Sequence, residues 1–436
     1  MQKSDWKKCK LGDVCELIGG FAFKSKSFGA FANKVIKIAN IQPPYVDDKL
    51  EGVDLSNYNV EKLKKYLINY NDFCLAMTGA TIGKLGRYKS KLSAYLNQRV
   101  LTFRPSTDVD KDFLYHYLSL DFFQRFINNH IDSETAQPNI SATSIGQFEL
   151  LLPPLEEQKR IAEILGSLDD KIELLQKQNK TLEDMAKALF KSWFVDFDVV
   201  RAKQKGLPKA DIMCEYHLTD ELYDLFPSSF ADSPLGPIPS GWEVVKISDV
   251  ARVVGGGTPS TKQTKFFSAS GTAIAWLTPK DLSGYQYKYI DHGQTDITQE
   301  GLTHSSAQLM PTNSIVFSSR APIGYIAISL GEIATNQGFK SLVPLERHWT
   351  EFLYQYLCYN RYIIEGLGTG STFKEVSGSV MKNISLCFPS SEILKAFEQE
   401  TEIINSKQKI IMKEIQTLTE LRDTLLPRLI SGKIRV

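Results

Sequence analysis

Two short segments of the chain place cations and hydroxyls around an Ile-Gly turn, MTGATIGKLGRY at 77–88 and SSRAPIGYIAI at 318–328. Guanidinium and ammonium groups donate hydrogen bonds to phosphate oxygens and to the O6 and N7 atoms of guanine, and hydroxyls contact either kind of group. The side chains that suit such contacts are Thr78, Thr81, Lys84, Arg87, Ser319 and Arg320. Both segments therefore offer candidate contacts to the bases and phosphates of a nucleic acid.

An Asn-Gln pair occurs in each half of the chain, as Asn97-Gln98 and as Asn336-Gln337. The carboxamide of either residue type can pair with the N6 and N7 atoms of adenine. Because both halves keep the pair, a shared structural hydrogen bond explains it as well as base reading does. Both interpretations stay open on the sequence alone.

Two glycine-rich segments stand at equivalent places in the halves. GGGTPST at 255–261 lacks the Lys-Ser/Thr ending and the following helix of a P-loop, and we expect a flexible loop there. GGFAFKSKS at 19–27 is basic, so both segments can lie along a nucleic-acid backbone, with a solvated surface loop as the alternative. The candidate contacts here are Lys24, Lys26, Thr258, Ser260 and Lys262.

Three other patterns suggest catalysis but have simpler explanations. QPPY at 42–45 resembles the Asn/Asp-Pro-Pro-Tyr motif of amino-methyltransferases, yet its first residue is Gln and no glycine-rich cofactor loop precedes it, which favours a Pro-Pro turn. EQK at 157–159 ends like a nuclease motif, but it lies at the start of a long helix, where acidic side chains interact favourably with the helix dipole. The two aspartates of FVDFD at 194–198 lack a third metal ligand, so we expect a structural or partner-facing role.

Composition indicates a folded, soluble chain with no metal of its own. Of the 436 residues, 42% are hydrophobic and 23% charged, values typical of globular proteins. The six cysteines form no CxxC pair and the six histidines show no zinc-site spacing. No apolar stretch approaches the roughly 20 residues of a membrane span, and no signal-peptide core follows the first residues. We expect a reduced, cytoplasmic protein away from membranes.

Charge is distributed unevenly, although the net charge is only +1. Residues 1–105 carry 18 Lys or Arg and 9 Asp or Glu, a surplus of nine cations. Residues 246–347 carry nine Lys or Arg and seven acids, while residues 210–245 carry seven acids and no Lys or Arg. The basic first part is typical of a surface that meets polyanions.

The chain is an internal repeat. LGDV at 11–14 corresponds to ISDV at 247–250, and FLYHYL at 113–118 corresponds to FLYQYL at 352–357. The offset is 236 residues at both ends of the repeat and rises to 239–241 within it, as expected for loop insertions in a shared scaffold. One fold used twice with different loops suggests that each half recognises a different target.

Each half predicts an α+β domain followed by a long helix. Runs such as KVIKIANI at 34–41, RVLTF at 99–103 and SIVFSS at 314–319 have the β-branched and aromatic content of strands. Aromatic helical stretches and a Pro-ended strand follow in both halves. We therefore expect two similar domains that rest on mixed sheets.

The long helices carry heptad repeats with alternating steps of four and three residues. In both halves one set of seam positions is apolar throughout: Ile161, Leu168, Leu175, Leu182, Leu189, Phe397, Ile404, Ile411, Leu418 and Leu425. The other set is Leu165, Ile172, Asn179, Ala186 and Trp193, then the weaker Thr401, Gln408, Ile415, Arg422 and Leu429. Arg422 fits worst, so we expect it to mark the end of pairing or to extend into solvent.

Each helix of about 40 residues is roughly 60 Å long, more than one small domain can cover. The helices therefore most simply pair with each other, and an internal two-fold axis would make the pair antiparallel, with the domains at opposite ends. We expect the second helix to meet Pro427 where the first continues as KSWFVDFD. The expected segments are a first domain at 1–153, a helix at 154–198, an acidic linker at 199–238, a second domain at 239–390, and a helix with tail at 391–436.

The whole chain resembles the specificity subunit of type I restriction-modification systems. The segments that carry the resemblance are NKTLEDMAKALFKSWFVDFD at 179–198, PSGWEVVKISDV at 239–250 and LLPRLISGKIRV at 425–436. The resemblance implies that each target recognition domain reads one half of a bipartite site in double-stranded DNA, while the helices set the gap. An inserted heptad near Asn179, matched near Ile415, is then expected to lengthen that gap.

The resemblance also implies partners that carry the catalysis. Two modification subunits bind S-adenosylmethionine and methylate adenine, and restriction subunits use ATP and Mg²⁺ for cleavage. This chain then binds no cofactor and is not an enzyme. The alternatives are an autonomous DNA adenine methyltransferase that uses QPPY, and a coiled-coil scaffold that does not bind DNA.

Overall fold

Two forty-residue helices run through both of the units into which the chain divides. The computed structural model describes residues 6–131, 138–370 and 374–436. One unit consists of Met1–Glu173 with Thr417–Val436, and the other of Leu174–Gln416. Each unit therefore contains one α+β domain and a part of both long helices.

The first domain is built on mixed sheets. A six-stranded sheet has the order β2-β11-β8-β9-β5-β4, and a four-stranded sheet has the order β6-β3-β10-β7. Its described strands are β1 Lys7–Lys10, β2 Cys15–Gly19, β3 Phe28–Ile36, β4 Ile41–Gln42, β5 Tyr45–Val46, β6 Glu51–Val53, β7 Leu67–Ile68, β8 Phe73–Ala76, β9 Leu85–Arg87, β10 Ala94–Leu96, β11 Val100–Pro105 and β12 Glu149–Leu152. Its helices are α1 Leu11–Val14, α2 Val60–Leu63, α3 Lys111–Leu118, α4 Asp121–Asn129 and α5 Ala142–Gly146, and the long helix α6 Leu155–Phe194 follows.

The second domain repeats this plan after a helical linker. Its described helices are α7 Asp198–Gln204, α8 Lys209–Tyr216, α9 Asp220–Leu225, α10 Ile247–Val250, α11 Gln299–Thr303, α12 Thr350–Tyr359, α13 Arg361–Gly366, α14 Gly378–Lys382 and the long α15 Ser391–Ile430. Its strands are β13 Phe230–Ala231, β14 Ile238–Pro239, β15 Glu243–Lys246, β16 Ala251–Gly255, β17 Phe267–Ala269, β18 Ile274–Leu277, β19 Tyr289–Ile290, β20 Thr295–Ile297, β21 Ile315–Ser319, β22 Ile323–Ser329, β23 Ile333–Thr335, β24 Lys340–Pro344 and β25 Ser385–Phe388.

The strand orders confirm the internal repeat. The sheet β16-β24-β21-β22-β19 reproduces β2-β11-β8-β9-β5, and the two-stranded sheet β15-β25 reproduces β1-β12. In both domains one strand pair of the smaller sheet is parallel, β3 with β10 and β18 with β23, while most other pairs are antiparallel. The expected α+β architecture with mixed sheets is therefore confirmed.

Aromatic side chains fill the core beneath each larger sheet. In the first domain Phe113 of α3 is fully buried, and Phe123 of α4 packs edge-to-face against Phe148 with ring centroids 4.8 Å apart. In the second domain Phe352 of α12 packs 5.0 Å from Phe194. The aromatic helix that both halves share thus anchors each sheet to the long helices.

The long helices pair in antiparallel fashion within each unit. In the first unit Asp169 accepts a 2.9 Å bond from Arg422, while Ile161 shares a buried cluster with Leu429. In the second unit Gln408 donates to the carbonyl of Asn179 at 3.5 Å. All twenty seam positions are buried or half-buried, which confirms the antiparallel coiled coil.

Two details of the helix pair differ from expectation. Arg422 neither ends the pairing nor extends into solvent, because its guanidinium is held by the carboxylate of Asp169. Helix α15 passes through Pro427 and ends at Ile430. The side chain of Gln408 contacts Asn179, and the expected match near Ile415 for a heptad inserted at Asn179 stays a prediction.

The first residues of the GGGTPST loop are closely packed, while its expected flexibility stays a prediction. A Cβ atom at Gly256 would lie 1.9 Å from the carbonyl oxygen of Asn336, so only glycine fits this backbone contact. The next residue, Gly257, donates to Thr335 O at 2.8 Å and accepts from Trp276 Nε1 at 3.0 Å. Close backbone packing therefore fixes the start of this loop.

Candidate nucleic-acid interface

Three loops of the first domain meet at one edge of its larger sheet. Strands β2 and β8 end at this edge and β9 and β11 begin there, because the register pairs Gly19 with Leu101 and Ala76 with Val100. A bridge between Thr78 and residue 139 brings a fourth segment to the same place. We call this edge the first loop edge, and its loops are 20–27, 77–84 and 97–99.

The second domain has the equivalent edge. Gly255 at the end of β16 pairs with Lys340 at the start of β24, and the β21–β22 turn lies beside them. Backbone bridges from Glu375 to Arg320 and to Thr369 add the segment before α14. We call this the second loop edge, and its loops are 256–263, 320–322 and 336–339.

Most predicted contacts in the first domain lie at the first loop edge. The lysines Lys24 and Lys26 and the carboxamide of Gln98 are exposed there, and Lys84 is half-buried. Thr81 is half-buried and donates to Thr78 O at 3.3 Å, whereas Thr78 is buried beneath the loop. The edge therefore presents cations and an amide to solvent over a hydroxyl-containing turn.

Arg87 does not lie at the first loop edge. It is the last residue of β9, at the opposite end of that strand, and its side chain is 10% exposed. Its guanidinium pairs with Asp112 and lies 4.1 Å from the centre of the Tyr115 ring. These contacts tie β9 to helix α3, so Arg87 supports the domain and is not available at the loop edge.

Predicted contacts in the second domain divide between exposed and internal positions. Ser260 and Lys262 are exposed, and Thr258 donates a hydrogen bond to the side chain of Gln337. Ser319 is buried and donates to Gly338 O at 3.1 Å. Arg320 is half-exposed, and its Nη1 lies 3.8 Å from a carboxylate oxygen of Glu375.

The repeated Asn-Gln turn has a structural role in both domains. The backbone amide of Asn97 donates to Ile36 O, and that of Asn336 donates to Leu277 O, at 2.9 and 2.8 Å. In the second domain the Asn336 side chain also accepts from Gly338 N at 2.8 Å. The side-chain bond favours the structural interpretation for Asn336, whereas the bond of Asn97 involves only its backbone and leaves both interpretations open. The exposed Gln98 and Gln337 stay candidates for base contacts.

One exposed cation of the first loop edge was missed from the sequence. Arg99 follows the Asn-Gln pair, is exposed, and has a left-handed backbone with φ of 72°. The signal was available, because the equivalent residue in the second half is Gly338, so the shared frame does not require an arginine. The run RVLTF at 99–103 predicts a strand that begins at residue 99, so Arg99 is counted as a strand residue and not as a loop residue.

The patterns that suggest catalysis have structural explanations. Tyr45 of QPPY donates to Glu173 of helix α6 at 3.1 Å, and burial beside that carboxylate raises the pKa of its phenol. Asp196 of FVDFD pairs with Lys191. Across residues 6–131, 138–370 and 374–436, no group of three His, Cys, Asp or Glu residues could hold a metal ion.

Polar networks inside each unit hold the domain on the helix pair. In the second unit the fully buried Lys288 donates to Glu351 at 2.6 Å and to Asn405 at 2.7 Å. In the first unit His116 lies 3.9 Å from Asp169. Burial lowers the pKa of His116 to about 4, because desolvation and nearby guanidinium groups outweigh the attraction of Asp169 and Asp112 for the proton.

Comparison with known proteins agrees with this architecture. Residues 3–184 and 239–429 match the type I restriction modification DNA specificity domain. The chain is 27% identical over 471 residues to the HindI specificity subunit of the type I restriction enzyme of Haemophilus influenzae, covering 99% of this chain and 100% of that protein. It is 38% identical over 189 residues to the MjaIX specificity subunit of Methanocaldococcus jannaschii, covering 42% and 43%.

A solved structure shares the fold. The crystal structure of the S subunit of a type I restriction-modification system from M. genitalium has a TM-score of 0.57 and 14% identity, covering 98% of this chain and 97% of that one. A duplicated α+β frame with a loop edge in each copy defines a two-domain DNA-recognition protein. The chain belongs to the family of type I restriction-modification DNA specificity subunits. In its described residues no helix combines the length and apolar character that crossing a membrane requires.

Proposed function

We propose that this chain reads a bipartite sequence in double-stranded DNA, one half-site with each loop edge. The observation that carries the proposal is the duplication of one sheet edge with different loops on it. Equivalent strands end at Gly19 and Gly255, while the loops that follow are GFAFKSKS and GGTPSTKQ. A shared frame places both sets of loops alike, and their different side chains read different bases.

The two loop edges differ in charge, which predicts that they differ in affinity for DNA phosphates. Lys24, Lys26, Lys84 and Arg99 stand at the first edge, and residues 1–105 carry a surplus of nine cations. At the second edge Arg320 is partly neutralised by Glu375. Because each neutralised phosphate releases counterions, the first half-site should supply more of the salt-dependent affinity.

The helix pair sets the gap between half-sites and provides the docking surface for two modification subunits. Those subunits bind S-adenosylmethionine and methylate adenine, and restriction subunits add ATP- and Mg²⁺-dependent cleavage. The chain itself contributes recognition and no catalysis, and the assembled complex acts in the cytoplasm. The contacts of Tyr45 and Asp196 support this division, because the side chains that resembled catalytic groups are used to hold the domains and helices.

The test is reconstitution with the cognate modification subunits and S-adenosylmethionine. The complex should methylate adenines in one bipartite site, and neither component should do so alone. Methylation by this chain alone that is lost in Tyr45→Ala would support the autonomous methyltransferase instead. Failure to bind DNA at any salt concentration, in a complex that assembles, would support the scaffold.

A further inference from the structure

The turn that contains Arg99 holds an arginine in a conformation that suits glycine. The turn spans Asn97 to Val100, closed by a 3.1 Å bond from Val100 N to Asn97 O. Arg99 is its third residue and has φ of 72°, as in a type II turn, where glycine is strongly favoured. Side chains with a Cβ atom are strained in this region, so the arginine is costly to keep there.

Neighbouring backbone groups impose this conformation. Arg99 O accepts from Met77 N at 2.9 Å, and Gln98 N donates to Phe21 O at 2.8 Å. The turn therefore joins the loops after β2 and β8, and these backbone bonds constrain its shape. The equivalent residue of the second domain, Gly338, does not have a positive φ, so this conformation belongs to the first domain.

Among the residues that the structure describes, the side chain of Arg99 contacts no partner. It is exposed, and within residues 6–131, 138–370 and 374–436 it makes no hydrogen bond or ion pair. The other arginines of the larger sheet are engaged, since Arg87 pairs with Asp112 and Arg104 donates to Asp72 at 3.0 Å. Arg99 combines backbone strain with an unused guanidinium at the centre of the first loop edge.

We propose that Arg99 is a specificity-determining residue that reads a guanine in the half-site of the first domain. Its forked guanidinium can donate to O6 and N7 of one guanine from the major groove, the commonest base contact of arginine. The backbone bonds of the short turn hold the Cα atom of Arg99 in place, which reduces the conformational entropy lost on binding. This inference rests on the proposed function, because it requires the first loop edge to face DNA.

The test uses Arg99→Gly and Arg99→Lys in the complete complex with modification subunits. Glycine relieves the strain and removes the guanidinium, and lysine keeps a charge without the fork. Asn313→Gly is the matched control, because Asn313 also has positive φ but precedes β21, at the end of that strand away from the second loop edge. The readouts are the thermal midpoint of the complex and the methylation rate on sites with each base at every position.

Arg99→Gly should leave the thermal midpoint unchanged or higher while the preference for guanine falls roughly 5- to 150-fold at one position of the first half-site. Arg99→Lys should lose most of that preference, and Asn313→Gly should lose none. A uniform loss over all sequences, with a shallower salt dependence, would show a phosphate contact and overturn the proposal. Unaltered specificity in an active complex would also overturn it, whereas a wild-type complex with no bipartite specificity would refute the proposed function itself.

Discussion

Lengthening the helix pair tests whether it sets the gap between half-sites. One heptad is inserted after Asn179 in α6 and one beside Gln408 in α15, because the side chain of Gln408 contacts Asn179. Whole heptads keep the seam positions on the same faces of both helices. Paired insertion therefore keeps the seam register on both sides of the insertion while it lengthens the helix pair.

The magnitude follows from helix geometry. Seven residues at 1.5 Å per residue add roughly 10.5 Å to each helix. One base pair of B-DNA occupies about 3.4 Å, so the gap should grow by up to about three base pairs, fewer if the helices are tilted to the DNA axis. Both half-site sequences should stay as they are, because no loop has changed.

The assay is methylation of a library in which the gap between the two half-sites varies. Replacement of the heptad around Asn179 by another of equal length and pattern is the matched control, and it should leave the gap unchanged. An insertion variant that folds, assembles and methylates at the original gap length would refute the spacer role.

Three further outcomes follow from the structure. Lys288→Met should destabilise the second unit by about 3–5 kcal/mol in urea unfolding, because it leaves the Glu351 carboxylate buried without its cation, and adding Glu351→Leu should recover most of the loss. Stability of the first unit should fall as the pH drops from about 7 towards 4, by about 3 kcal/mol in all, because the unfolded state binds a proton that buried His116 does not, and His116→Leu should remove this slope. Lys24→Ala should lower the slope of log affinity against log salt by about 0.9 if Lys24 contacts phosphate, whereas Lys205→Ala on the linker should not; an equal effect of both would contradict the assignment to the loop edge.

The repeat and the helix pair could be predicted because their signals are periodic or duplicated. A seam of apolar residues every seventh position is visible without any knowledge of packing, and Ile161 and its equivalent Phe397 are both fully buried. The α+β class followed from strand composition in both halves. The two halves also supported each other, because corresponding segments predict the same element.

Loop-edge residues were predictable where a loop follows a strand end, but strand direction was not. Lys84 and Arg87 are three residues apart, yet β9 separates them, so that one lies at the loop edge and the other beneath Asp112. The left-handed conformation of Arg99 accompanies a backbone bond from Met77 N to Arg99 O, which cannot be predicted from the sequence.

The buried networks could not be predicted for a related reason. Lys288 contacts Glu351 and Asn405, which are 63 and 117 residues away in the sequence. No local pattern marks such a set, and Lys288 by itself looks like an ordinary surface lysine. Only the fold brings its partners together and makes burial of the charge tolerable.

The central claim is that two loop edges read two half-sites for partner subunits that methylate adenine. A map of methylated adenines in DNA from cells that carry the complete system tests it most directly. The account predicts one motif with two specific half-sites and a non-specific gap of constant length, which disappears when this chain is deleted. A continuous motif, or adenine methylation that persists without the chain, would contradict it.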